Sequence, residues 1–271
     1  MEPLALQPAD YEAYLVLLDD AEGQRIAASL SAGWFKRAQA LLAAFEPQAD
    51  GAWCSFASTV IALRALGAPH VPTQRVLYDD FVRALGGMRG GVSLSELHTF
   101  LGQASATYCG SRLSVELQPA HERQRVLDEL FGALLLGEAD GSVVLINFAR
   151  QLAGQWTGHW SVLGGVAIDE RSVAYALVLD VAAHKVGVHW VPLEMIAACL
   201  CTRNVRDEVR GWLRVSMSAP EAGAAVRAAH GAATAGSATT AEARPPAARP
   251  SEESARDGRG AADAEPECTM I

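Results

Sequence analysis

Four strand-like segments follow one another in the second half of the chain, and they limit the folds that the chain can adopt. The segments are rich in β-branched and aromatic residues and are separated by turn residues. They read SVVLINFAR, HWSVLGGVAID, AYALVLDVA and VHWVPL. The first half instead shows helical spacing of apolar residues. Helices followed by a run of adjacent strands predict an α+β fold with a mainly antiparallel sheet.

Further segments complete this prediction. GVSLSELHTFLGQA should begin at a cap, because Ser93 or Ser95 precedes its apolar residues and Glu96 lies three residues after Ser93. The other predicted helices are GWFKRAQALLAAF, CSFASTVIALRALGA, HERQRVLDELFGALL and LEMIAACLC, and the other predicted strands are SRLSVELQ and GWLRVS.

The composition changes sharply after Met217. Residues 218–271 contain Ala, Gly, Pro, Ser, Thr and scattered charge, without leucine or aromatic residues. Such a segment cannot bury enough apolar surface to offset the entropy lost on ordering. We therefore expect one folded domain over residues 1–217 and a disordered tail over residues 218–271.

Charge and cysteine usage narrow the functional classes. The net charge is −9, which argues against non-specific nucleic-acid binding, a property that needs a basic surface. The first residues lack the basic and apolar regions of a secretory signal, and no apolar stretch approaches the ~20 residues of a membrane span. The odd number of cysteines, 5, favours a reducing compartment over a disulfide scaffold. We expect a cytoplasmic protein whose oligomeric state the sequence leaves open.

Three residues have the chemistry of a nucleophilic site. Cys54 begins a predicted buried helix, where the helix dipole favours a thiolate. His159 begins a predicted strand and Asp180 ends the next one, so antiparallel pairing would bring them side by side. In that arrangement the thiolate attacks, the imidazole moves the proton and the carboxylate orients the ring. Spacing alone also allows a core cysteine, a structural histidine and a turn aspartate.

Aromatic residues surround the histidine in GQWTGHWSVLGGV. Trp156 and Trp160 are expected to wall off the imidazole and exclude water, which would strengthen its polar interactions. Trp53 and Gly158 directly precede the nucleophile and the base, and with Trp160 they are candidates for contact with the substrate.

At these residues the chain resembles the phytochelatin synthase family, papain-like cysteine enzymes that act on glutathione. The similar blocks occur in order over roughly 21–198, and ordered blocks are more specific than any single motif. They are the segments AEGQRIAASLSAGWFKRAQALLAAFEPQADGAWCSFAS, GVSLSELHTFLGQASATYCGSRLSVEL and VVLINFARQLAGQWTGHWSVLGGVAIDERSVAYALVLDVAAHKVGVHWVPLEMI. The resemblance implies a papain-like fold, in which a helical N-terminal half packs its nucleophile helix on the sheet.

The resemblance also implies a role for each matched residue. Cys54 matches the nucleophile that takes up a γ-glutamylcysteinyl group and releases glycine. His159 matches the general base and Asp180 the residue that orients it. Gln48 matches the glutamine whose amide helps to form the oxyanion hole, with the backbone N–H of Cys54 as the second donor.

The chain departs from the family pattern in several places. Ser55 stands where the family has glycine, and the family's TGHFSP becomes TGHWSV. After Asp180 the family arginine is replaced by Ala183, and its Tyr-Pro-Pro by Val186-Gly187-Val188. An arginine there would suit a peptide carboxylate, so its loss motivates a rival in which the same triad acts as an amidase or amide synthase on another substrate. A second rival is a non-catalytic binding protein that retains the fold.

Neither the residues nor the resemblance requires a bound cofactor. Cys199 and Cys201 lack the spacing of a zinc site, and we expect cadmium or zinc only as a thiolate complex of glutathione. Cys268, fourth from the end in CTMI, has the position of a prenylation cysteine, although the residues before it are acidic. A membrane partner is expected only if Cys268 carries a lipid.

Overall fold

The computed structural model of the chain describes residues 6–30, 32–88 and 90–219. The predicted disordered tail begins at Ser218, so all but its first two residues lie outside the described part, and so does Cys268.

A seven-stranded antiparallel sheet forms the centre of the described part. Its strands are β1 (Val16–Leu17), β2 (Leu113–Pro119), β3 (Val143–Leu152), β4 (Gln155–Ile168), β5 (Ala174–Leu179), β6 (Val188–Pro192) and β7 (Gly211–Met217). They lie in the order β1-β6-β5-β4-β3-β7-β2, with every neighbouring pair antiparallel. The central strands β3 and β4 are buried along most of their length, because helices cover both faces of the sheet.

Helices form one layer on each face of this sheet. They are a 3₁₀ helix (Pro8–Tyr14), α1 (Ala21–Ala28), α2 (Ala32–Ala44), α3 (Cys54–Ala65), α4 (Gln74–Leu85), α5 (Leu94–Cys109), α6 (Arg123–Asp140) and α7 (Leu193–Leu200). One apolar core contains residues of α1 to α5, and a second core on the other face contains residues of the 3₁₀ helix, α6 and α7. The predicted α+β class with an antiparallel sheet is confirmed.

The local sequence explains where the helices begin and end. Ser93 and Glu96 form the predicted capping box of α5, since Ser93 Oγ accepts from the backbone N–H of Glu96 and the Glu96 carboxylate accepts from that of Ser93. Helix α4 begins after Thr73, which caps it, and ends at Gly86 in the left-handed region. Helix α3 is mostly apolar and is buried on all sides from Ser55 to Leu63.

The structure differs from the sequence-based prediction in two respects. The 3₁₀ helix, α1, α4 and the short strand β1 were not predicted. Strand β4 begins at Gln155, so His159 lies within the strand and not at its start. No helix in the described ranges is long and apolar enough to cross a membrane.

Candidate active site

The structure brings His159 and Asp180 into direct contact. Asp180 follows the last residue of β5, and the pairing of Val162 with Leu179 aligns β5 beside the part of β4 that carries His159. His159 Nε2 lies 2.8 Å from Asp180 Oδ1. His159 is 6% exposed and Asp180 is fully buried. The two side chains therefore form a hydrogen bond shielded from water.

Arg150 completes a buried cluster behind this pair. It lies on β3, is 1% exposed, and its guanidinium forms an ion pair with both oxygens of the Asp180 carboxylate. The backbone N–H of Ala182 also donates to Asp180 Oδ1, at 2.9 Å. Burial acts to raise the pKa of Asp180, but His159 and Arg150 outweigh it and hold the pKa well below its usual range. The Asp180 carboxyl is therefore ionised at pH 7.

The ionised carboxylate fixes the tautomer of the histidine. Nε2 of His159 must donate to Asp180, so in the neutral ring Nδ1 is the acceptor. Burial and the charge of Arg150 lower the pKa of His159, while Asp180 acts in the opposite direction. The resting imidazole is therefore neutral at pH 7 and can accept a proton at Nδ1.

Cys54 lies at the N-terminal end of α3, the helix that packs on β4. The helix begins at Cys54 itself, with Trp53 as the preceding capping residue. The side chain is partly exposed and its thiol is not part of a disulfide. The positive end of the helix dipole at this position favours a thiolate.

Arg210 lies against the strand that carries the histidine. Its guanidinium lies so close to Gly158 that a Cβ atom there would come within 2.8 Å of Nη2. Nη1 donates to Asn147 Oδ1 at 3.2 Å, and Nε is buried without a hydrogen-bond partner in the described part of the chain. Burial lowers the pKa of Arg210 to about 10, and electrostatic interaction with Cys54 acts to raise it. Arg210 is thus a buried cation at pH 7, and no carboxylate among the described residues forms an ion pair with it.

Gln48 lies next to the strand end that carries the aspartate. Its backbone N–H donates to the carbonyl of Val181 at 2.8 Å. Its side-chain Nε2 donates to the carbonyl of Gly51 at 2.9 Å, and Oε1 is buried without a hydrogen-bond partner in the described ranges. One hydrogen of the amide is used locally and the second remains for another acceptor. An oxyanion-hole role for Gln48 stays a prediction.

The expected wall of tryptophans around the imidazole is corrected by the structure. Side chains alternate along β4, so Trp156 and Trp160 point away from the side of the strand on which His159 lies. Trp160 is 1% exposed, packs in the core and donates from Nε1 to the carbonyl of Val92, which leaves no surface for a substrate. Trp156 is 43% exposed. The ring that packs against His159 is Phe148, with centroids 5.9 Å apart.

Trp53, the residue directly before Cys54, lies in an aromatic cluster. Its ring is stacked on Tyr78 of α4, with centroids 5.1 Å apart, and meets Phe56 edge-on. The side chain is half-buried, so part of its surface stays open next to Cys54. A substrate contact by Trp53 stays a prediction.

Sequence reasoning missed three residues of this site. Arg150 carried a signal, because an arginine inside the apolar segment VVLINFAR needs a buried partner. Gln74 bonds the loop that carries Gln48, through the backbone of Pro47 and Ala49, and the capping residues of α4 were the available signal. Arg210 follows a polar loop and no sequence signal distinguishes it.

The described residues contain no group of three or more His, Cys, Asp or Glu side chains positioned to hold a metal ion. Cys199 is buried and Cys201 is partly exposed, and neither forms a disulfide. Burial raises the pKa of the Cys199 thiol to about 12, so this group stays protonated.

Two comparisons relate the chain to known proteins. The family model described as phytochelatin synthase matches residues 12–212. The chain is 28% identical over 201 residues to glutathione gamma-glutamylcysteinyltransferase 1 of Triticum aestivum, an alignment that covers 72% of this chain and 38% of the wheat protein. The chain therefore spans less than half the length of that relative. The match over most of its length shows that the chain belongs to the phytochelatin synthase family.

Proposed function

We propose that this protein is a papain-like cysteine enzyme that cleaves the amide bond between cysteine and glycine in glutathione. The observation that carries this proposal is the buried hydrogen bond between His159 Nε2 and Asp180, on a strand against which the Cys54 helix packs. A papain-like mechanism needs a cysteine thiol within reach of an imidazole whose ring is held by a carboxylate, and the contact between His159 and Asp180 meets the second of these requirements. Membership of the family supports the same chemistry.

In the proposed reaction the Cys54 thiol gives its proton to Nδ1 of His159, and the sulfur attacks the cysteinyl carbonyl carbon. The carbonyl oxygen becomes an oxyanion, for which the backbone N–H of Cys54 and the amide of Gln48 are the proposed donors. The C–N bond then breaks, and the imidazolium protonates the leaving glycine amine. The product is a γ-glutamylcysteinyl thioester on Cys54, with Asp180 stabilising the imidazolium throughout.

The acyl group then passes to water or to the amine of a second glutathione. His159 removes a proton from the acceptor, the C–S bond breaks, and the thiol of Cys54 is restored. Water gives γ-Glu-Cys, whereas a second glutathione gives the lengthened peptide (γ-Glu-Cys)₂-Gly. Cadmium or zinc would enter as a thiolate complex of this second peptide.

Arg210 supports a substrate that carries a carboxylate. Its buried guanidinium lies in the electrostatic range of Cys54 and lacks a carboxylate partner among the described residues. Burying a cation without a partner costs free energy, and a nearby anion offsets that cost. A guanidinium can bind a carboxylate through two parallel hydrogen bonds. Glutathione offers two carboxylates, and we assign one of them to Arg210.

A second candidate keeps the triad and changes the substrate. Residues 183–185, directly after Asp180, form an exposed segment, and the family arginine is replaced there by Ala183. Whatever the family arginine contacts must differ here, which favours an amidase or amide synthase acting on another small amide with a carboxylate.

The test is incubation of the full chain with glutathione, with and without cadmium, and identification of the products by mass spectrometry. The proposal predicts release of glycine by the native protein and none by Cys54→Ser. Cys201→Ser, a partly exposed cysteine outside the site, is the matched control and should remain active. Absence of turnover by folded protein would overturn the glutathione assignment, and a panel of small amides would then separate the second candidate from a binding protein without activity.

A further inference from the structure

A pair of buried polar side chains lies behind the catalytic cluster, and the mechanism above does not use it. Tyr11 of the 3₁₀ helix and His189 of β6 are both completely buried. Their atoms Tyr11 Oη and His189 Nε2 lie 2.7 Å apart. The residues are 178 positions apart in sequence, so this contact fixes the N-terminal segment on the sheet.

The direction of this hydrogen bond follows from its surroundings. His189 Nδ1 lies 2.9 Å from the carbonyl oxygen of Gly187, which can only accept, so Nδ1 carries the proton. Burial lowers the pKa of His189 to about 4, so the ring is neutral at pH 7 and Nε2 is an acceptor. Tyr11 therefore donates its hydroxyl proton to His189. Burial also raises the pKa of Tyr11 well above its ordinary value, which keeps that proton in place.

Tyr11 extends over the same face of the sheet as the catalytic pair. Its ring packs on Phe148 with centroids 5.9 Å apart, and Phe148 packs on His159 at the same separation. On the other side the ring meets His189 edge-on, with centroids 5.7 Å apart. The strand register pairs Val178 with His189, which makes His189 a diagonal neighbour of Asp180. Tyr11 thus contacts both β3, through Phe148, and β6, through His189. Between these two strands lie β4, which carries His159, and β5, which ends directly before Asp180.

Charged and titratable groups from several elements act on His159. The titratable or charged groups that face it are Arg150 of β3, Asp180 after β5, Lys185 of the following loop and His189 of β6. Tyr11 interacts electrostatically with Arg150 and Asp180, and also with Cys199 of α7. The hydroxyl of Tyr11 is therefore within range of the ion pair that orients the imidazole.

We propose that Tyr11 is a positioning residue that closes the His159–Asp180–Arg150 cluster from water and, through His189 and Phe148, holds the imidazole in its working orientation. This inference rests on the proposed function for its catalytic consequence, but the structural part is independent of turnover. The family match begins at residue 12, so Tyr11 is not part of the matched segment.

The physical effect of the hydroxyl follows from the buried hydrogen bond. Tyr11→Phe leaves the ring in place and removes the donor to His189 Nε2, which becomes a buried acceptor without a partner. Water or a rotated His189 ring must satisfy it, and either change loosens the packing around Asp180 and Phe148. Hydration of the cluster weakens the burial that lowers the pKa of His159, so that pKa should move upward.

The test measures this pKa by NMR titration of the histidine C2–H signals in a Cys54→Ser background. That variant does not turn over, and it removes the thiol that would couple to the imidazole. The chain contains 7 histidines, and the signal that disappears in His159→Gln assigns the one of interest. Tyr14→Phe, on the same 3₁₀ helix but 37% exposed, is the matched control.

We expect Tyr11→Phe to raise the pKa of His159 and Tyr14→Phe to leave it unchanged. With Cys54 restored, Tyr11→Phe should lower kcat by about fivefold at constant KM, the effect of one lost hydrogen bond. An unchanged pKa of His159 in folded Tyr11→Phe protein would overturn the proposal. If native protein shows no turnover while the pKa shift is present, the proposed function fails and the positioning role stands.

A second variant guards against misfolding of the first. Glu12 Oε2 accepts from the backbone N–H of Ala153 at 2.8 Å, which attaches the 3₁₀ helix to the β3–β4 turn. Glu12→Ala breaks this surface contact and leaves Tyr11 intact. It should raise the pKa of His159 in the same direction by a smaller amount. If Tyr11→Phe does not fold, an unchanged pKa in Glu12→Ala overturns the proposal.

Discussion

The guanidinium of Arg210 lies across Gly158, the residue directly before His159. A Cβ atom at position 158 would approach Arg210 Nη2 to 2.8 Å and Nη1 to 3.0 Å. These atoms belong to the flexible end of a side chain, so an alanine there would displace the guanidinium and leave the strand intact. The absence of a side chain at Gly158 is therefore what allows the cation to lie against β4 at this position.

The first prediction follows from this contact. Gly158→Ala should lower kcat/KM for glutathione about tenfold, a loss of ~1.4 kcal/mol of transition-state stabilisation, because Arg210 moves away from the substrate. The measurement is steady-state glycine release. Gly102→Ala in α5 is the matched control, since a Cβ atom at that position would have no neighbour within 4 Å, and it should keep full activity. Equal activity of the two variants would contradict this role of Gly158.

A second prediction concerns the charge of Arg210. Arg210→Gln should raise KM for glutathione by about 10- to 100-fold, corresponding to a lost charged hydrogen-bond pair of about 1.5–3 kcal/mol. Esterifying both carboxylates of glutathione should weaken binding to the native protein but change little in the variant. Arg75→Gln, at an exposed position, serves as the control. Additive effects of the ester and of Arg210→Gln would show that the cation serves another purpose.

We expect Asp180 to contribute both to catalysis and to the stability of the fold, and a double variant separates the two contributions. Asp180→Asn should lower kcat roughly 10³- to 10⁴-fold, because the amide no longer fixes the tautomer of His159. It should also lower the free energy of unfolding by about 3–5 kcal/mol, because Arg150 becomes an unpaired buried charge.

The combination Arg150→Met with Asp180→Asn should restore much of that stability and none of the activity. Urea unfolding and glycine release measure the two quantities separately. Recovery of activity in the double variant would mean that Asp180 only neutralises Arg150.

The buried histidines predict how stability depends on pH. His159 and His189 have pKa values lowered by burial, to about 4 for His189, so they are neutral in the folded chain while the unfolded chain binds protons below pH 6.5. Stability should therefore fall as the pH decreases below 6.5, by up to ~1.4 kcal/mol per pH unit for each histidine, and for His189 this loss continues down to about pH 4. Urea unfolding at several pH values measures this slope, and His189→Gln should reduce it. The same slope in both proteins would exclude His189 as a contributor.

The sequence predicts the parts of this molecule that depend on local pattern. The strands from Val143 onward, the buried helix α3 and the cap at Ser93 are each determined by spacing within a few residues. The contact between His159 and Asp180 followed from one further step, because consecutive antiparallel strands place their residues side by side.

The remainder depends on contacts between distant segments. Tyr11 meets His189 and Arg210 meets Gly158 only after the sheet has formed, and no local period indicates either contact. The expected role of Trp160 was wrong because neighbouring residues in a strand point to opposite faces. Trp160 follows His159 directly, so its ring lies on the other face of β4. Phe148, on the neighbouring strand, packs on the imidazole instead.

The position of β7 in the sheet has a practical consequence for anyone who shortens this protein. The family match ends at residue 212, whereas β7 runs from Gly211 to Met217 and joins β3 to β2. A fragment trimmed to the matched residues would lose most of that strand, and β2 would be left without a neighbour. Trimming at the other limit would discard Tyr11. A recombinant fragment should therefore extend from before Leu6 to beyond Ser218. If a shorter fragment were inactive, the cause would be a damaged sheet and not the chemistry of Cys54.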